Sequence, residues 1–261
     1  MDGEARGRVA LVTGAGSPDG IGFATARVLG REGALLAIAS TTDRIHDRAG
    51  ELEGVTAAGF PGDLTDRGQV RAMVDAVTQA FGRIDILVNN AGMVHVGLDE
   101  EPGAPFVEMP DATWDLEIAL SLQTAFNVTR AVVPGMVARG WGRVVMVSSV
   151  TGPITAIEGS AGYGAAKGGM DGLMRGVAIE VAAAGVTVNS VAPGWIATGA
   201  QLEDESEAGR ATPIGRSGTP AEVAEVVAFL ASERASYVTG TSVVVDGGNT
   251  IQEMKGAGPG T

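Results

Sequence analysis

Short apolar runs alternate with amphipathic helical patterns along the whole chain. The apolar runs predict strands at residues 9–12, 35–39, 55–60, 84–88, 144–147, 186–191 and 243–245. Most of these runs are apolar at nearly every position, which is typical of parallel strands that helices cover on both faces. Between them, apolar residues recur with helical period, as in Val70, Met73, Val74, Val77 and Phe81. This order predicts an α/β fold, a single-domain, doubly wound (Rossmann-type) parallel sheet of seven strands with helices on both faces.

No internal repeat or linker divides the chain, so we expect residues 1–261 to form one dinucleotide-binding and catalytic domain. Three segments are predicted to lie outside the regular elements: an inserted loop at 93–112, a substrate lid at 199–218 and a loose tail at 250–261. The lid carries Glu203, Asp204, Glu205 and Glu207. This charge run predicts either a solvated, mobile loop or a lid that disfavours polyanionic substrates.

The composition excludes several classes of partner. A net charge of −13 disfavours nucleic acid and anionic membrane surfaces, and no apolar run approaches the roughly 20 residues of a membrane span. The absence of cysteine excludes disulfides and thiolate metal sites. His46 and His95 are far apart in the pattern, so we predict no metal site. With a charged start and no signal-peptide pattern, we expect a cytoplasmic protein.

A glycine-rich segment follows the first predicted strand and precedes an alanine-rich helix. Residues 13–22 read TGAGSPDGIG, in the setting that a dinucleotide-binding loop requires. Glycines allow the backbone to approach a pyrophosphate, whose charge then lies at a helix N-terminus. Ser17 offers a hydroxyl donor, whereas Asp19 would repel a phosphate unless it points outward. The alternative is a tight strand-to-helix turn without a ligand.

The end of the second predicted strand bears on the choice of cofactor. An acid at this place binds a ribose 2′-hydroxyl, whereas a neutral residue with an arginine nearby admits a 2′-phosphate. Ser40 is neutral, and Ser40, Thr41, Thr42 and Arg44 offer donors. We therefore favour NADP(H) over NAD(H). The alternative is an ordinary helix start, with Thr42 or Asp43 as its N-cap.

Tyr163 and Lys167 are one turn apart in a helix predicted over residues 163–184, so their side chains share one face. A phenol has an ordinary pKa near 10, too high for proton transfer at neutral pH. We expect a nearby ammonium and a cationic nicotinamide to lower the pKa of Tyr163. The alternative is a buried core tyrosine with a solvated lysine.

Three other predicted strands end in small or polar residues. They end at Ser148-Ser149, at residues 89–92 (NNAG) and at residues 193–198 (PGWIAT). The carboxyl ends of parallel strands are where ligands bind in open α/β sheets. These segments therefore favour a functional tyrosine–lysine pair over a structural one.

Together with Asp63-Leu64 and the final motif at residues 238–248, these segments resemble the short-chain dehydrogenase/reductase family over essentially the whole chain, in its branch similar to 3-oxoacyl-carrier-protein reductases. The resemblance implies four catalytic positions: Ser149, Tyr163, Lys167 and Ser121. Tyr163 would be the general acid/base, Lys167 would tune it and bind the nicotinamide ribose, and Ser149 would position the carbonyl. The implied cofactor-binding residues are Gly14, Gly16, Ser17, Gly20, Ile21, Gly22, Ser40, Thr41, Thr42, Arg44, Asp63, Leu64, Asn90, Ala91, Gly92, Tyr163, Lys167, Pro193, Gly194, Ile196 and Thr198. The implied substrate pocket is apolar and contains Met93, Val94, Ile157 and Trp195.

The sequence departs from the family pattern at two places. Five residues separate Gly14 from Gly20 where the family has three, which changes the contacts expected from Ser17 to Asp19. Ser121 stands where the family usually has the asparagine of a proton relay, so we expect activity with an altered relay.

The leading hypothesis is an NAD(P)-dependent ketoreductase or alcohol dehydrogenase that acts on a small, mostly apolar ketone. A second hypothesis is a 3-oxoacyl-thioester or carrier-protein reductase, although Ala184 stands where relatives that dock an acidic carrier often have a basic residue. The alternative from another class is a non-catalytic, cofactor-binding sensor. Relatives of this kind are commonly tetramers, so we also expect a homotetramer, paired through the helices predicted over residues 114–138 and 163–184.

Overall fold

A seven-stranded parallel sheet forms the centre of the protein. The computed structural model describes residues 3–92 and 104–253. The strands are β1 Val9–Thr13, β2 Leu35–Ser40, β3 Ala57–Pro61, β4 Ile86–Asn89, β5 Gly142–Val147, β6 Val186–Pro193 and β7 Ser242–Val245. Their order across the sheet is β3-β2-β1-β4-β5-β6-β7, and every neighbouring pair is parallel. The predicted doubly wound α/β fold is thus confirmed.

Helices cover both faces of this sheet. They are α1 Ile21–Arg31, α2 Arg44–Gly50, α3 Arg67–Phe81, α4 Asp111–Ile118, α5 Thr124–Arg139, α6 Ala161–Val181, α7 Glu203–Arg210 and α8 Pro220–Leu230. Helices α1 and α8 pack on one face, where Val12 and Val145 point. Helices α3, α5 and α6 pack on the other face, where Leu11 and Val144 point. Because successive strand residues point to opposite faces and both faces are covered, the strands are apolar throughout. Among the described residues, no helix is long and apolar enough to cross a membrane.

Several element boundaries differ from those predicted. Strand β3 begins at Ala57 rather than at residue 55, and β4 begins at Ile86 rather than at residue 84. The helix predicted over residues 114–138 is longer and is interrupted: a π-helical turn at Ala119–Gln123 separates α4 from α5. The helix predicted over residues 163–184 begins two residues earlier and ends as a 3-10 turn at Ala182–Ala184.

Two of the three irregular segments were predicted wrongly in part. The lid contains helix α7, so it is not only a loop. Its acids Glu203, Asp204 and Glu205 lie in the first turn, where negative charge interacts favourably with the helix dipole. The tail is ordered at its start, because the Thr250 amide and hydroxyl bind the Asp246 carboxylate at 2.7 and 2.8 Å. Of the inserted loop, residues 93–103 lie outside the described residues, and the rest includes a 3-10 turn at Phe106–Glu108 and the start of α4.

The order of the strands fixes where a ligand would bind. The chain passes from β1 outward to β3 and then returns to β4 on the other side of β1. The chain leaves the carboxyl ends of β1 and β4 in opposite directions across the sheet, so a crevice forms between these two strand ends. The glycine-rich segment after β1 and residues 89–92 after β4 therefore lie next to each other at the same edge.

Candidate active site

Helix α6 brings Tyr163 and Lys167 together beneath the end of β5. Tyr163 lies in the first turn of the helix and Lys167 in the second. The Lys167 side chain is 4% exposed, and its Nζ donates a hydrogen bond of 2.9 Å to the Val147 carbonyl. The same Nζ lies 5.6 Å from the centroid of the Tyr163 ring. Lys167 is therefore buried rather than solvated, and it lies against the ring of a half-buried Tyr163.

Ser149 joins this pair from the segment that follows β5. Its side chain is buried, its hydroxyl accepts a hydrogen bond of 3.0 Å from the Thr151 amide, and it is hydrogen-bonded to the Tyr163 phenol. The neighbouring Ser148 hydroxyl donates to the Lys167 carbonyl at 3.4 Å. Both serines thus tie the end of β5 to the first two turns of α6.

Close backbone packing fixes the distance between Ser149 and Tyr163. Gly152 has a φ of +103°, a conformation that favours glycine. A Cβ at this position would overlap the Gly164 carbonyl. The loop after β5 and the first turn of α6 can approach this closely only because residue 152 is glycine.

The ionisation of Tyr163 differs from the expectation. Burial raises the pKa of the Tyr163 phenol, the hydrogen bond from Ser149 opposes this, and the negative charges of Glu205 and Glu117 raise the pKa further. Burial also lowers the pKa of the Lys167 amine from 10.5 to about 8, against the opposing effect of the Asp171 carboxylate. The lowering predicted from an ammonium together with a cationic nicotinamide is therefore not present in the protein alone, where desolvation of the phenolate is the largest effect.

The glycine-rich loop forms a cradle against the end of β4. A Cβ on Gly14 would lie 2.8 Å from the Ala91 Cα, and a Cβ on Gly22 would lie 2.5 Å from the Gly14 oxygen. The side-chain amide of Asn90 donates hydrogen bonds to the Thr13 and Gly14 carbonyls at 3.1 and 3.0 Å. Helix α1 starts behind Gly20 without a side-chain cap, which leaves its first amides to a ligand. The residues present therefore fit the pyrophosphate of a dinucleotide.

The two extra residues of this loop lie away from the cradle. Ser17, Pro18 and Asp19 are exposed. The Asp19 carboxylate points toward Gly199, since a Cβ there would lie 3.4 Å from its Oδ2. The repulsion expected between Asp19 and a phosphate is thus avoided, and the loop insertion reaches the base of the lid.

The residues predicted to read the adenosine ribose form a small polar group after β2. The Ser40 hydroxyl donates to the Thr42 carbonyl at 3.1 Å, and Arg44 Nε donates to the Thr42 hydroxyl at 3.4 Å. Thr41, Thr42 and Arg44 are exposed. Ser40 also touches the glycine loop, because a Cβ on Gly16 would lie 3.0 Å from its Cβ.

The pair Asp63-Leu64 follows β3 at the same edge of the sheet. The Asp63 carboxylate accepts from the Thr65 amide and hydroxyl at 2.8 and 2.7 Å. Leu64 is buried, and its carbonyl accepts from the Asn127 side chain at 2.9 Å. Hydrogen bonds to neighbouring residues thus hold both of these predicted cofactor-binding residues in place.

The segment after β6 is fixed by the final motif. The Gly194 amide donates to the Val245 carbonyl at 3.0 Å, and a Cβ on Gly194 would lie 2.7 Å from the Asp246 Cβ. Ile196 is buried and forms an isolated bridge to Gly218. The last residue of the lid, Gly218, is therefore held against the segment that precedes the lid, between Pro193 and Thr198.

The described part of the predicted substrate pocket is apolar. Ile157 is exposed and Trp195 is partly exposed, while Met93 and Val94 lie outside the described residues. On the lid helix, Glu205 is half-buried whereas Glu203, Asp204 and Glu207 are exposed. Within residues 3–92 and 104–253, no three His, Asp or Glu side chains are grouped so that they could hold a metal ion.

Ser121 lies in the π-helical turn between α4 and α5. It is fully buried, and its hydroxyl donates to the Gly92 carbonyl at 3.1 Å. In the same turn, the Thr124 amide bonds to Ala119 and the Thr124 hydroxyl bonds to the Leu120 carbonyl at 2.6 Å. Such turns are frequent at functional sites. Ser121 therefore positions the loop of residues 89–92.

Sequence reasoning missed four residues that shape this site. The Thr13 hydroxyl accepts from the amides of Asn90 and Ala91 at 3.1 and 3.2 Å. Glu117 and Asp171 are buried acids near the catalytic pair. Asp246 caps the final motif through Gly248 and Thr250. The strand-end position of Thr13 was a usable signal, whereas the burial of two acids in helices was not visible in the sequence.

Comparisons with known proteins agree with this geometry. A model of the short-chain dehydrogenase/reductase family, described as enoyl-(acyl carrier protein) reductase, matches residues 14–250. The chain belongs to the short-chain dehydrogenase/reductase family. It is 38% identical to an oxidoreductase named UcpA from Salmonella typhimurium, over 98% of this chain and 99% of the relative. It is 41% identical to a 3-oxoacyl-[acyl-carrier-protein] reductase, FabG, from Thermotoga maritima, over 94% and 98%.

A solved structure is similar over nearly the same length. The putative gluconate dehydrogenase from Agrobacterium tumefaciens superimposes with a TM-score of 0.86 at 31% identity, covering 96% of this chain and 98% of that one. The resemblance to the branch of 3-oxoacyl-carrier-protein reductases is confirmed. The protein is an NAD(P)-dependent oxidoreductase that transfers hydride between a nicotinamide and a ketone or secondary alcohol.

Proposed function

We propose that the protein reduces a small, uncharged ketone with NADP(H), with Tyr163 as the general acid/base. The observation that carries this proposal is the arrangement of three side chains: the Ser149 hydroxyl bonds the Tyr163 phenol, and the Lys167 ammonium lies below the ring. Two hydroxyl donors at one point can hold a carbonyl oxygen and stabilise the charge that develops on it. When bound, the nicotinamide supplies the hydride.

The protein's own residues move the proton. The Tyr163 phenol donates to the oxygen of the carbonyl as it becomes an alkoxide. Lys167, held at the Val147 carbonyl, stabilises the resulting phenolate and binds the ribose hydroxyls. Ser121 uses its hydroxyl on the Gly92 carbonyl, so in this proposal it orients the loop at residues 89–92 and is not a proton carrier.

The negative charges around Tyr163 support the proposal that the substrate is uncharged. Glu117 and Glu205 both act on the phenol, and Glu205 is the one acid of the lid helix that is half-buried. An anionic substrate would have to approach these carboxylates at low dielectric, which costs affinity. Among the named relatives, FabG acts on a carrier-bound 3-oxoacyl group. Carrier-bound and free ketones, compared side by side, separate this second function from the first.

The choice of NADP(H) rests on the residues after β2. Ser40 and Thr41 are neutral, and Arg44 is an exposed cation one turn away. Hydrogen-bond donors at a strand end that itself carries no acid favour a 2′-phosphate on the ribose. We expect a higher kcat/KM with NADPH than with NADH, and Arg44→Gln to reduce the NADPH value alone. Arg48→Gln, which removes a cation paired with Glu51, is the matched control; a clear preference for NADH in the wild type would contradict the assignment.

The assembly that we propose is a cytoplasmic homotetramer. One set of exposed apolar side chains lies on the helices α4 to α6: Trp114, Val137 and Ile179. Another lies on α8 and the edge strand β7: Phe229 and Val244. Exposed apolar side chains in two different parts of the surface are the observation that supports this proposal, since a tetramer with twofold axes has two different interfaces. A monomer in light scattering would contradict this.

Replacement of Tyr163 tests the proposed reaction. Tyr163→Phe removes only the hydroxyl, so we expect ketone reduction to be lost while the NADPH dissociation constant, measured by fluorescence, stays within about threefold. Tyr237 is the only other tyrosine and is fully exposed, so Tyr237→Phe is the matched control. Turnover by Tyr163→Phe equal to that of the wild type would overturn the mechanism, and a chain that binds NADPH but reduces none of a broad ketone series would support a sensor.

A further inference from the structure

A buried carboxylate lies one turn beyond Lys167 on helix α6. The Asp171 side chain is 2% exposed, and its Oδ1 has no hydrogen-bond partner within the described residues. A charge removed from water without a partner is costly, so buried carboxylates are normally hydrogen-bonded or paired. The buried Oδ1 has no hydrogen bond that offsets this cost, so a nearby positive charge is needed to compensate it.

Lys167 is the cation placed to compensate Asp171. The two residues are four positions apart, so their side chains leave the same face of α6. Both are almost fully buried, at 4% and 2% exposure, where screening by water is weak. The Asp171 charge acts on the Lys167 amine in the direction that favours its protonated form. The attraction is therefore mutual, although no direct hydrogen bond joins the two.

Among the described residues, the other cations of α6 and of the elements packed against it are exposed or distant; Arg175, four positions beyond Asp171 on α6 itself, is exposed. Strand β6 and the turns at 119–123 and 182–184 carry no titratable side chain. The only cation of β5 is Arg143, at the opposite end of the strand from Val147. Helix α5 carries Arg130 and Arg139, which are exposed. The acids nearby oppose compensation: α4 carries the buried Glu117 and two exposed aspartates, and Glu205 of α7 acts on Tyr163.

We propose that Asp171 is a positioning residue for catalysis: its buried charge keeps Lys167 protonated and its Nζ at the Val147 carbonyl, beneath Tyr163. This inference rests on the role that the proposed function gives to Lys167. Burial alone disfavours a charged amine at this place. Without Asp171, a larger fraction of Lys167 would be neutral at working pH and would no longer stabilise a phenolate.

The composition of the chain allows a direct test. Lys167 and Lys255 are its only lysines, so the protein labelled with ¹³C at the lysine ε carbon gives two NMR signals. The variant Lys255→Arg assigns them. A pH titration of the full chain without cofactor should give Lys167 a pKa of about 8. In Asp171→Asn, which keeps the shape of the side chain, we expect that value to fall by about one pH unit.

A matched variant controls for general changes of charge. Glu180 lies on the same helix but is exposed, so Glu180→Gln should leave the Lys167 titration unchanged. The alkaline limb of the pH profile of kcat for ketone reduction should shift with the NMR value in Asp171→Asn. A purely structural role would lower activity or stability without moving either titration. An unchanged Lys167 pKa in a folded Asp171→Asn protein would overturn the proposal.

A second variant keeps the test decisive if Asp171→Asn does not fold. The double variant Lys167→Met/Asp171→Asn removes both buried charges. Recovery of folding in the double variant supports charge compensation, and failure of the double variant to fold would contradict it. Since the NMR titration needs no turnover, it can succeed while Tyr163→Phe disproves the proposed reaction, and the two failures are distinguishable.

Discussion

Replacing Lys167 with methionine should change how the stability of the protein depends on pH. Burial lowers the pKa of the Lys167 amine from 10.5 in the unfolded chain to about 8 in the folded protein. Between these pH values the folded protein binds fewer protons at this site than the unfolded chain, so the free energy of unfolding rises with pH. Below pH 8 the amine is charged in both states. Burial of the charged amine then lowers the free energy of unfolding by about 3 kcal/mol.

The size of the effect follows from these two values. Integrated from pH 7 to pH 9.5, a group that titrates at about 8 when folded and 10.5 when unfolded adds about 2 kcal/mol to the free energy of unfolding. Tyr163 contributes little over this range, because burial raises its pKa above the ordinary value of 10.0 and even the unfolded phenol is mostly protonated at pH 9.5. The wild type should therefore gain about 2 kcal/mol relative to Lys167→Met.

The assay is urea denaturation of both proteins at pH 7 and at pH 9.5. Lys167→Met keeps most of the aliphatic length, and the loss of the hydrogen bond to the Val147 carbonyl affects both pH values alike. The difference between the proteins reports mainly the titration of the Lys167 amine, because groups distant from it contribute equally in both proteins. Free energies of unfolding that change in parallel for the two proteins would refute the assignment of a lowered pKa to Lys167.

Three further substitutions test the packing around the site. Gly152→Ala places a side chain at a φ of +103° against the backbone of α6, so it should cost about 2 kcal/mol or more in denaturation and also lower kcat; wild-type kcat and stability would contradict the close packing. Thr219→Ala removes the cap that bonds the Glu222 amide at 3.2 Å and should cost about 1 kcal/mol in denaturation with unchanged kinetics, whereas Thr219→Ser should restore the stability. Ser121→Ala loses only the bond to the Gly92 carbonyl, so kcat should fall by less than about tenfold, and loss of all turnover would contradict a positioning role.

The sheet was predictable because its signal is local. Each strand is a short apolar run bounded by turn residues, and all seven runs correspond to strands. The boundaries were less predictable because pairing is decided between strands. Asn89 extends β4 since it pairs with Met146 of β5, although its polar side chain ends the apolar run.

The sequence allowed the residues of the site to be predicted, but not their burial or the shifts of their pKa values. Strand ends, glycines and the spacing of Tyr163 and Lys167 are visible in the sequence, and the fold brings them to one edge. Burial is a property of the whole fold, so the raised pKa of Tyr163 and the buried Asp171 were not visible. The lid helix had a signal that was overlooked: acids in its first turn and Arg210 in its last turn complement a helix dipole.

The raised pKa of Tyr163 bears on the direction of the reaction. A protonated phenol is the form that donates to a developing alkoxide, so at neutral pH Tyr163 already carries the proton that carbonyl reduction needs. Alcohol oxidation needs the phenolate, which burial and the charges of Glu117 and Glu205 disfavour. The hydrogen bond from Ser149 opposes them, and Lys167, with a pKa of about 8, is charged at neutral pH and loses its charge at alkaline pH. At neutral pH the protonated phenol is thus ready for carbonyl reduction, whereas alcohol oxidation first requires Tyr163 to lose its proton.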